Sequence, residues 1–255
     1  MQLQNRSVLV TGAAQGIGRS IAQHLASQGA DIALNVHRND ERADEARALV
    51  AATGHRCVVL EGDVSKPDDM ARVMAQAIDQ LGGLDVLVNN AGIEHRAPFL
   101  DVTEADYGRV LNVNLKGAFF VSQAFARALK QRGHGGKIIN ISSVHEELPF
   151  PHFAAYCASK GGLKMLMRTL AVELAPLSIT VNNVAPGAIR TAINDALLKD
   201  TAQVEALLRQ IPLARMGLPD DVAGVVAFLA SSAADYMTGT TVTVDGGLLW
   251  NYDEQ

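Results

Sequence analysis

Short apolar runs, each long enough for one strand, alternate along this chain with longer segments at helical spacing, and the first turn between them is rich in glycine. Candidate strands are Ser7–Thr11, Asp31–Val36, Arg56–Glu61, Leu84–Asn89, Lys137–Ile141, Thr180–Ala185 and Thr240–Val244. Several are continuously apolar, the pattern of strands covered on both faces. Between them, Gly16–Gln28, Asp40–Thr53, Pro67–Leu81 and Tyr156–Leu174 carry Ala, Leu, Glu, Arg and Gln at helical spacing. Pro67 and Pro219 stand where helices begin. The alternation predicts an α/β fold, a doubly wound (Rossmann) domain of about seven parallel strands with helices on both faces.

No linker, repeat or low-complexity stretch divides residues 1–255, so one domain is expected. The least regular part, 187–216, carries two amphipathic pieces, Ala188–Leu198 and Ala202–Ile211. It follows a strand end near the expected ligand crevice, so it reads either as a substrate lid or as a pair of fixed surface helices.

After the first strand comes Thr11-Gly12-Ala13-Ala14-Gln15-Gly16-Ile17-Gly18. Glycines there allow a tight turn, close backbone approach to a pyrophosphate, and helix–strand packing. The free N–H groups and positive dipole end of the following helix suit phosphate. These positions make a dinucleotide the expected cofactor. At the end of the second strand the chain reads Asn35-Val36-His37-Arg38-Asn39, with no acid before Asp40. An acid there would hold a ribose 2′-hydroxyl and a cation would accept a 2′-phosphate. His37 and Arg38 can meet a phosphate and Asn35 a hydroxyl, although Arg38 also suits a solvated surface. NADP or dual use with NAD is favoured over strict NAD. Asp63-Val64 and Asn89-Asn90-Ala91-Gly92 follow the third and fourth strands, at the sheet edge where such folds bind ligands. Asp63 can accept from an adenine amino group or cap its own turn.

Tyr156 and Lys160 are four residues apart, on one face if the segment is helical. A free tyrosine has a pKa of about 10, too high for a base at neutral pH. A neighbouring cation favours the phenolate, and a phenol so tuned can exchange a proton with an alcohol or carbonyl. Hydrophobic residues make up 48% of the chain and the net charge is −5, which gives no electrostatic reason to expect nucleic acid or an anionic membrane. The polar start, Met1–Arg6, and the lack of a bilayer-length apolar run predict a cytoplasmic protein. Cys57 and Cys157 cannot make a disulfide framework, and Cys157 reads as a small buried filler.

Together Thr11–Gly18, Asp63, Asn89–Gly92, Asn114, Ser143, Tyr156–Lys160 and Pro186-Gly187 resemble the short-chain dehydrogenase/reductase family over nearly the whole chain. The resemblance implies metal-free hydride transfer between nicotinamide and a carbinol or carbonyl carbon. It implies that Tyr156 is the general acid/base, with Lys160 as its electrostatic partner and a ribose ligand. Ser143 would hold the substrate oxygen, and Asn114 a water linking Lys160 to solvent. Gly12, Gln15, Gly16, Ile17, Gly18, His37, Arg38, Asp63, Val64, Asn90, Ala91 and Gly92 would bind the cofactor, as would Pro186, Gly187, Ile189 and Thr191 around the nicotinamide.

Ser142-Ser143-Val144-His145-Glu146, Pro149, Pro151 and Ile193-Asn194 look like the bacterial glucose 1-dehydrogenase subgroup, as does Glu94. That likeness implies an aldose oxidised at C1 to the lactone, with Glu94, Ser143, His145 and Asn194 contacting the sugar. Glu94 also reads as a surface acid, and His145 as a residue that fixes its loop. The tail Leu248-Leu249-Trp250-Asn251-Tyr252 departs from the subgroup. A carbonyl reductase of the 3-oxoacyl thioester type shares the same core motifs, and a non-catalytic dinucleotide sensor is a further alternative. The family implies a homotetramer acting on a small molecule.

Overall fold

The computed structural model describes residues 2–192 and 200–251. Its centre is a seven-stranded parallel sheet, ordered β3-β2-β1-β4-β5-β6-β7. The strands are β1 (Ser7–Thr11), β2 (Asp31–Val36), β3 (Cys57–Glu61), β4 (Val86–Asn89), β5 (Gly136–Ile141), β6 (Ile179–Pro186) and β7 (Thr241–Val244). β1 and β2 coincide with the apolar runs, and the others shift by a residue or two at their ends. Arg56 falls outside β3 because both its N–H and its guanidinium are turned onto the Asp31 carboxylate.

The helices are α1 (Gly16–Ser27), α2 (Glu41–Ala51), α3 (Pro67–Leu81), α4 (Glu104–Leu111), α5 (Ala118–Arg132), α6 (Ala154–Leu174), α7 (Thr201–Gln210) and α8 (Pro219–Ala230). One core layer joins Val8, Val10, Ile32 and Leu34 to Ile21 and Leu25 of α1 and Val226 of α8. The opposite layer joins Leu9, Leu87, Ile138 and Val181 to Val73 of α3, Phe125 of α5 and Met167 of α6. Neighbouring positions on a strand thus feed opposite layers, which is why continuous apolar runs, rather than alternating ones, mark these strands.

Two local features lie outside the regular alternation. Between α4 and α5 the chain does not break; Asn112–Gly117 winds as a π turn. At its end a Cβ on residue 117 would stand 2.9 Å from the Val64 carbonyl, so glycine lets this helix close against the turn after β3. The piece Ala188–Leu198 opens without helix, residues 188–191 being extended or bent. Ile189 instead bridges Gly217, and Arg190 N–H donates to the Gly217 carbonyl. Residues 193–199, Asn194 among them, lie outside the described residues.

Because β1 is flanked by β2 and β4, successive crossovers leave in opposite directions from it, and a crevice opens at the carboxyl ends of these strands.

Candidate active site

A continuous cleft of about 1750 Å³ occupies that crevice. It exceeds the roughly 300–1,000 Å³ of a pocket for one drug-sized ligand, so it has room for a dinucleotide and a small substrate together. Its walls include all the residues expected to bind cofactor, from Gly12 to Thr191, together with Glu94, Ser143 and His145. Asn114 lies just behind the wall, in a second, enclosed space.

The glycine-rich turn is shaped by contacts that exclude any side chain. Gly12 has φ +63, and a Cβ there would come within 2.9 Å of Ala91 Cα. A Cβ on Gly18 would collide with the Asn90 amide and reach 2.5 Å from the Gly12 carbonyl. Asn90 Nδ2 donates to the carbonyls of Thr11 and Gly12, and Thr11 Oγ1 accepts the N–H groups of Asn90 and Ala91. The turn is thereby sewn to the end of β4. Gln15 leaves the N-terminus of α1 without a side-chain cap, and no acid stands in its first turn. Thr191 faces Gly16, with its Cγ2 3.6 Å from where a Cβ would stand. An uncapped helix end above a cradle that any Cβ would fill is a fit for a dinucleotide pyrophosphate.

At the adenosine end His37 and Arg38 are both exposed. Arg38 makes no ion pair or hydrogen bond among the described residues. Asn35 does not have the free amide expected of it: buried, it donates to the carbonyls of Leu60 and Gly62. Asp63 is likewise partly committed, because Oδ1 accepts both the N–H and the hydroxyl of Ser65, while Oδ2 lies 4.0 Å from His37 Nε2. The sequence reading missed Asp40 and Arg42, which also line the cleft. Asp40 caps α2 and grips the Arg42 guanidinium, which also donates to Gln15 Oε1. A cap followed two residues later by arginine was a visible signal for that pair.

At the inner end, α6 does bring Tyr156 and Lys160 together. Lys160 Nζ lies 5.5 Å from the centre of the Tyr156 ring and donates to the Ile141 carbonyl at the end of β5. Burial opposes the lowering expected from the cation. Burial pushes Tyr156 up to about 12; the Ser143 hydroxyl offsets part of this, while the Glu94 carboxylate adds to it. Tyr156 still lines the open cleft, where water screens some of that cost. Burial also brings Lys160 down to about 8, opposed by the charge of Glu146.

Asn114 and Lys160 border one small cavity. Asn114 Oδ1 accepts Ile93 N–H, and its Nδ2 donates to the Ile93 carbonyl and to Ser159 Oγ. With both amide hydrogens committed, this side chain pins the Gly92–Ile93 turn to α6, and its oxygen keeps a second lone pair for a water. The cavity, of about 10 Å³, is walled by Thr11, Asn89, Asn114 and Lys160. That is room for about one water with polar partners.

His145 has the loop-fixing role expected of it and also lines the cleft. Nδ1 pairs with the Leu148 carbonyl and fixes the loop, while the ring stacks on Phe150 at 4.2 Å and meets Tyr156 edge-on at 6.3 Å. Phe150 stacks in turn on Phe153. Burial lowers the His145 pKa, which favours the neutral ring with Nδ1 protonated. Burial also raises Glu94, whose carboxylate lines the cleft and makes no hydrogen bond or ion pair among the described residues. Cys157 is only partly buried, a poorer core filler than expected.

The family model for enoyl-(acyl carrier protein) reductase matches residues 12–249. Glucose 1-dehydrogenase of Gluconobacter oxydans (strain 621H) is 42% identical over 243 residues, 95% of this chain and 91% of that one. L-Rhamnose 1-dehydrogenase (NAD(P)(+)) of Sphingomonas sp. (strain SKA58) is 39% identical over 98% of each chain. Among solved structures, a candidate short-chain alcohol dehydrogenase of Sinorhizobium meliloti 1021 superposes with a TM-score of 0.95 at 43% identity, covering 98% of this chain and 99% of that one. A candidate 2-deoxy-D-gluconate 3-dehydrogenase of Agrobacterium tumefaciens, with bound NADP, gives 0.92 at 39% identity over 98% of each.

Proposed function

We propose, for a chain that belongs to the short-chain dehydrogenase/reductase family and is an NAD(P)-dependent oxidoreductase of CH–OH groups, that its substrate is an aldose oxidised at C1 to the lactone. The observation that carries the proposal is the convergence of Ser143, Tyr156 and Lys160 with Glu94 and His145 at one end of the cleft, in a chain whose relatives include two sugar 1-dehydrogenases.

When bound, a nicotinamide cofactor supplies the acceptor for hydride from the carbinol carbon. The chain's own residues do the rest. Gly12, Gly16, Gly18 and the open end of α1 seat the pyrophosphate, and Pro186, Gly187, Ile189 and Thr191 border the nicotinamide. Ser143 holds the substrate oxygen, and Tyr156 takes its proton. Lys160 stabilises the phenolate and passes charge toward the one-water cavity beside Asn114. Asn114 acts in this scheme by positioning Gly92, Ile93 and α6. A sugar presents hydroxyls to Glu94 and to Nε2 of His145, and a poorer substrate leaves those groups unpaired. His37 and Arg38 accept a 2′-phosphate, so NADP is used at least as well as NAD. Leu248 closes part of the substrate end, and Gln203, Leu207 and Gln210 of α7 border the cleft beside it.

The protein works as a homotetramer. Phe119, Met165 and Val172 stand exposed on α5 and α6, and Phe228 and Tyr236 stand exposed around the edge strand β7. Two separate apolar faces are what a tetramer with two kinds of two-fold contact needs. Light scattering is expected to give four copies; a monomer would overturn this part.

The test of the substrate is a panel of aldoses and 3-oxoacyl esters with both cofactors. Aldose oxidation is the expected result. Ketoester reduction without aldose turnover would overturn the sugar reading in favour of a carbonyl reductase.

A further inference from the structure

One buried carboxylate has no part in that scheme. Glu146 closes the short turn Val144–Glu146 that follows Ser143, and only 2% of its side chain is exposed. Its Oε2 accepts from Ser142 Oγ at 2.6 Å and from Asn183 Nδ2 at 3.2 Å. Its Oε1 accepts from Thr241 Oγ1 at 2.9 Å and lies 3.5 Å from Lys164 Nζ. The partners come from the end of β5, from β6, from β7 and from α6. A carboxylate removed from water is tolerated only when such partners replace the water, and four of them fix its position.

The amides behind it are ordered in the same sense. Asn89, Asn140, Asn183 and Thr241 occupy matching register positions in β4, β5, β6 and β7. Asn89 donates to Asn140, Asn140 donates to Asn183, and Asn183 donates to Glu146. Each donor points toward the carboxylate, and a row of hydrogen bonds running one way polarises its members. Such a row has a natural terminus in an anion, which only accepts.

On the other side the same turn faces the reacting groups. Ser143 Oγ accepts the His145 N–H, which sets the serine within the turn that Glu146 closes. A Cβ on Gly161 would stand 4.0 Å from the Glu146 carbonyl, so the turn rests on α6 beside Lys160. Lys160 Nζ is tied to the carbonyl of Ile141, one residue before Ser142.

We propose that Glu146 is a positioning residue for the reaction: its fixed carboxylate locks the Ser143 turn onto three strands and α6, and sets a negative charge beside Lys160. The inference rests on the proton-transfer reading of Tyr156 and Lys160. It also accounts for how an ammonium survives in that place, since burial works against it and the Glu146 charge is the force opposing burial. Lys160 is faced by Tyr156 on its own helix, by Glu146 from the turn, and by the neutral Asn114 from the π turn. Glu146 is paired with Lys164, its charge reaches Lys160 from behind Ile141-Ser142, and Glu147 holds Lys164 from the outside.

The test is a pH titration of Lys160 by NMR in the full chain with ¹³C-labelled lysine, the signal being assigned by its loss in Lys160→Arg. Glu146→Gln keeps the acceptor shape without the charge, and is expected to lower the Lys160 midpoint by about half a unit or more. Lys164→Met removes the outer cation and is expected to move it the opposite way. In turnover of the fastest aldose, Glu146→Gln is expected to lower kcat about tenfold with the dinucleotide KM unchanged. Lys160 midpoints that stay in place, or move the same way in both variants, would overturn the inference. If Glu146→Gln does not fold, Lys164→Met alone decides, an unmoved midpoint counting against it. Tyr156→Phe keeps the two ideas apart: undiminished turnover there sinks the proton-transfer reading whatever Lys160 does.

Discussion

On the β1–β4 side of the cleft, backbone and the absence of side chains do the shaping; beyond β5 and β6, side chains do it. The glycine turn is held by Asn90 and Thr11, and Cβ atoms are excluded at Gly12 and Gly18 by contacts with backbone and with Asn90. The far side relies on the His145–Phe150–Phe153 stack, on Glu94, and on the turn that Glu146 anchors. A backbone cradle suits a ligand whose phosphates are the same in every turnover. A wall of side chains can be exchanged one residue at a time, which is how one cofactor frame can serve different alcohols.

Changes on the two sides should therefore fail differently. The largest effect is expected at the junction: Tyr156→Phe should lower kcat by about 10²–10⁴ while leaving the dinucleotide Kd within a few-fold, as read by steady-state rates and fluorescence titration. Gly18→Ala puts a methyl group against Asn90 and the Gly12 carbonyl; overpacking of this kind costs about 1–3 kcal/mol, so dinucleotide Kd should rise roughly tenfold or more. A tight-binding Gly18→Ala would break the claim that this side is set by backbone fit. Arg38→Ala should weaken NADP+ roughly tenfold and leave NAD+ nearly unchanged, the loss of one charge-assisted contact in kinetic comparison of the two. Equal losses for both would remove the 2′-phosphate role. Smallest, Glu94→Gln should raise the aldose KM only a few-fold and leave dinucleotide Kd alone, because one neutral amide can still bond a hydroxyl.

The same contrast governs what could be read from the sequence. β1, β2 and the starts of α3 and α8 follow from apolar runs and from proline at a helix start, which are local signals. The glycine turn and the Tyr156–Lys160 face were legible because each is set by spacing within one turn or one helix. The π turn at Asn112–Gly117 was not, since its residues carry ordinary helical periodicity and the widening answers to Val64 across the fold. The amide row ending on Glu146 needs the register of four strands, which no single segment encodes. Asn35 was visible as a polar group at a strand end, but its bonds to Leu60 and Gly62 depend on how β3 lies beside β2, whereas the bonds of Asp63 to Ser65 are the local turn cap that its position allows. The proton balance at the phenol lies beyond the sequence for a related reason. Spacing places the charge, whereas the depth of the cleft decides how much burial it must overcome.

That last point gives the most direct test of the proton-transfer centre. Burial outweighs the Ser143 hydrogen bond and holds Tyr156 at about 12, so activity near neutrality requires that the neighbouring cation favour the phenolate in the working complex. The measurement is the pH profile of kcat/KM for oxidation of the best aldose, in the wild type and in Lys160→Ala. The account predicts a wild-type midpoint well below 12 that moves upward by about one unit or more in the variant. A midpoint that stays in place on removing Lys160 would contradict it.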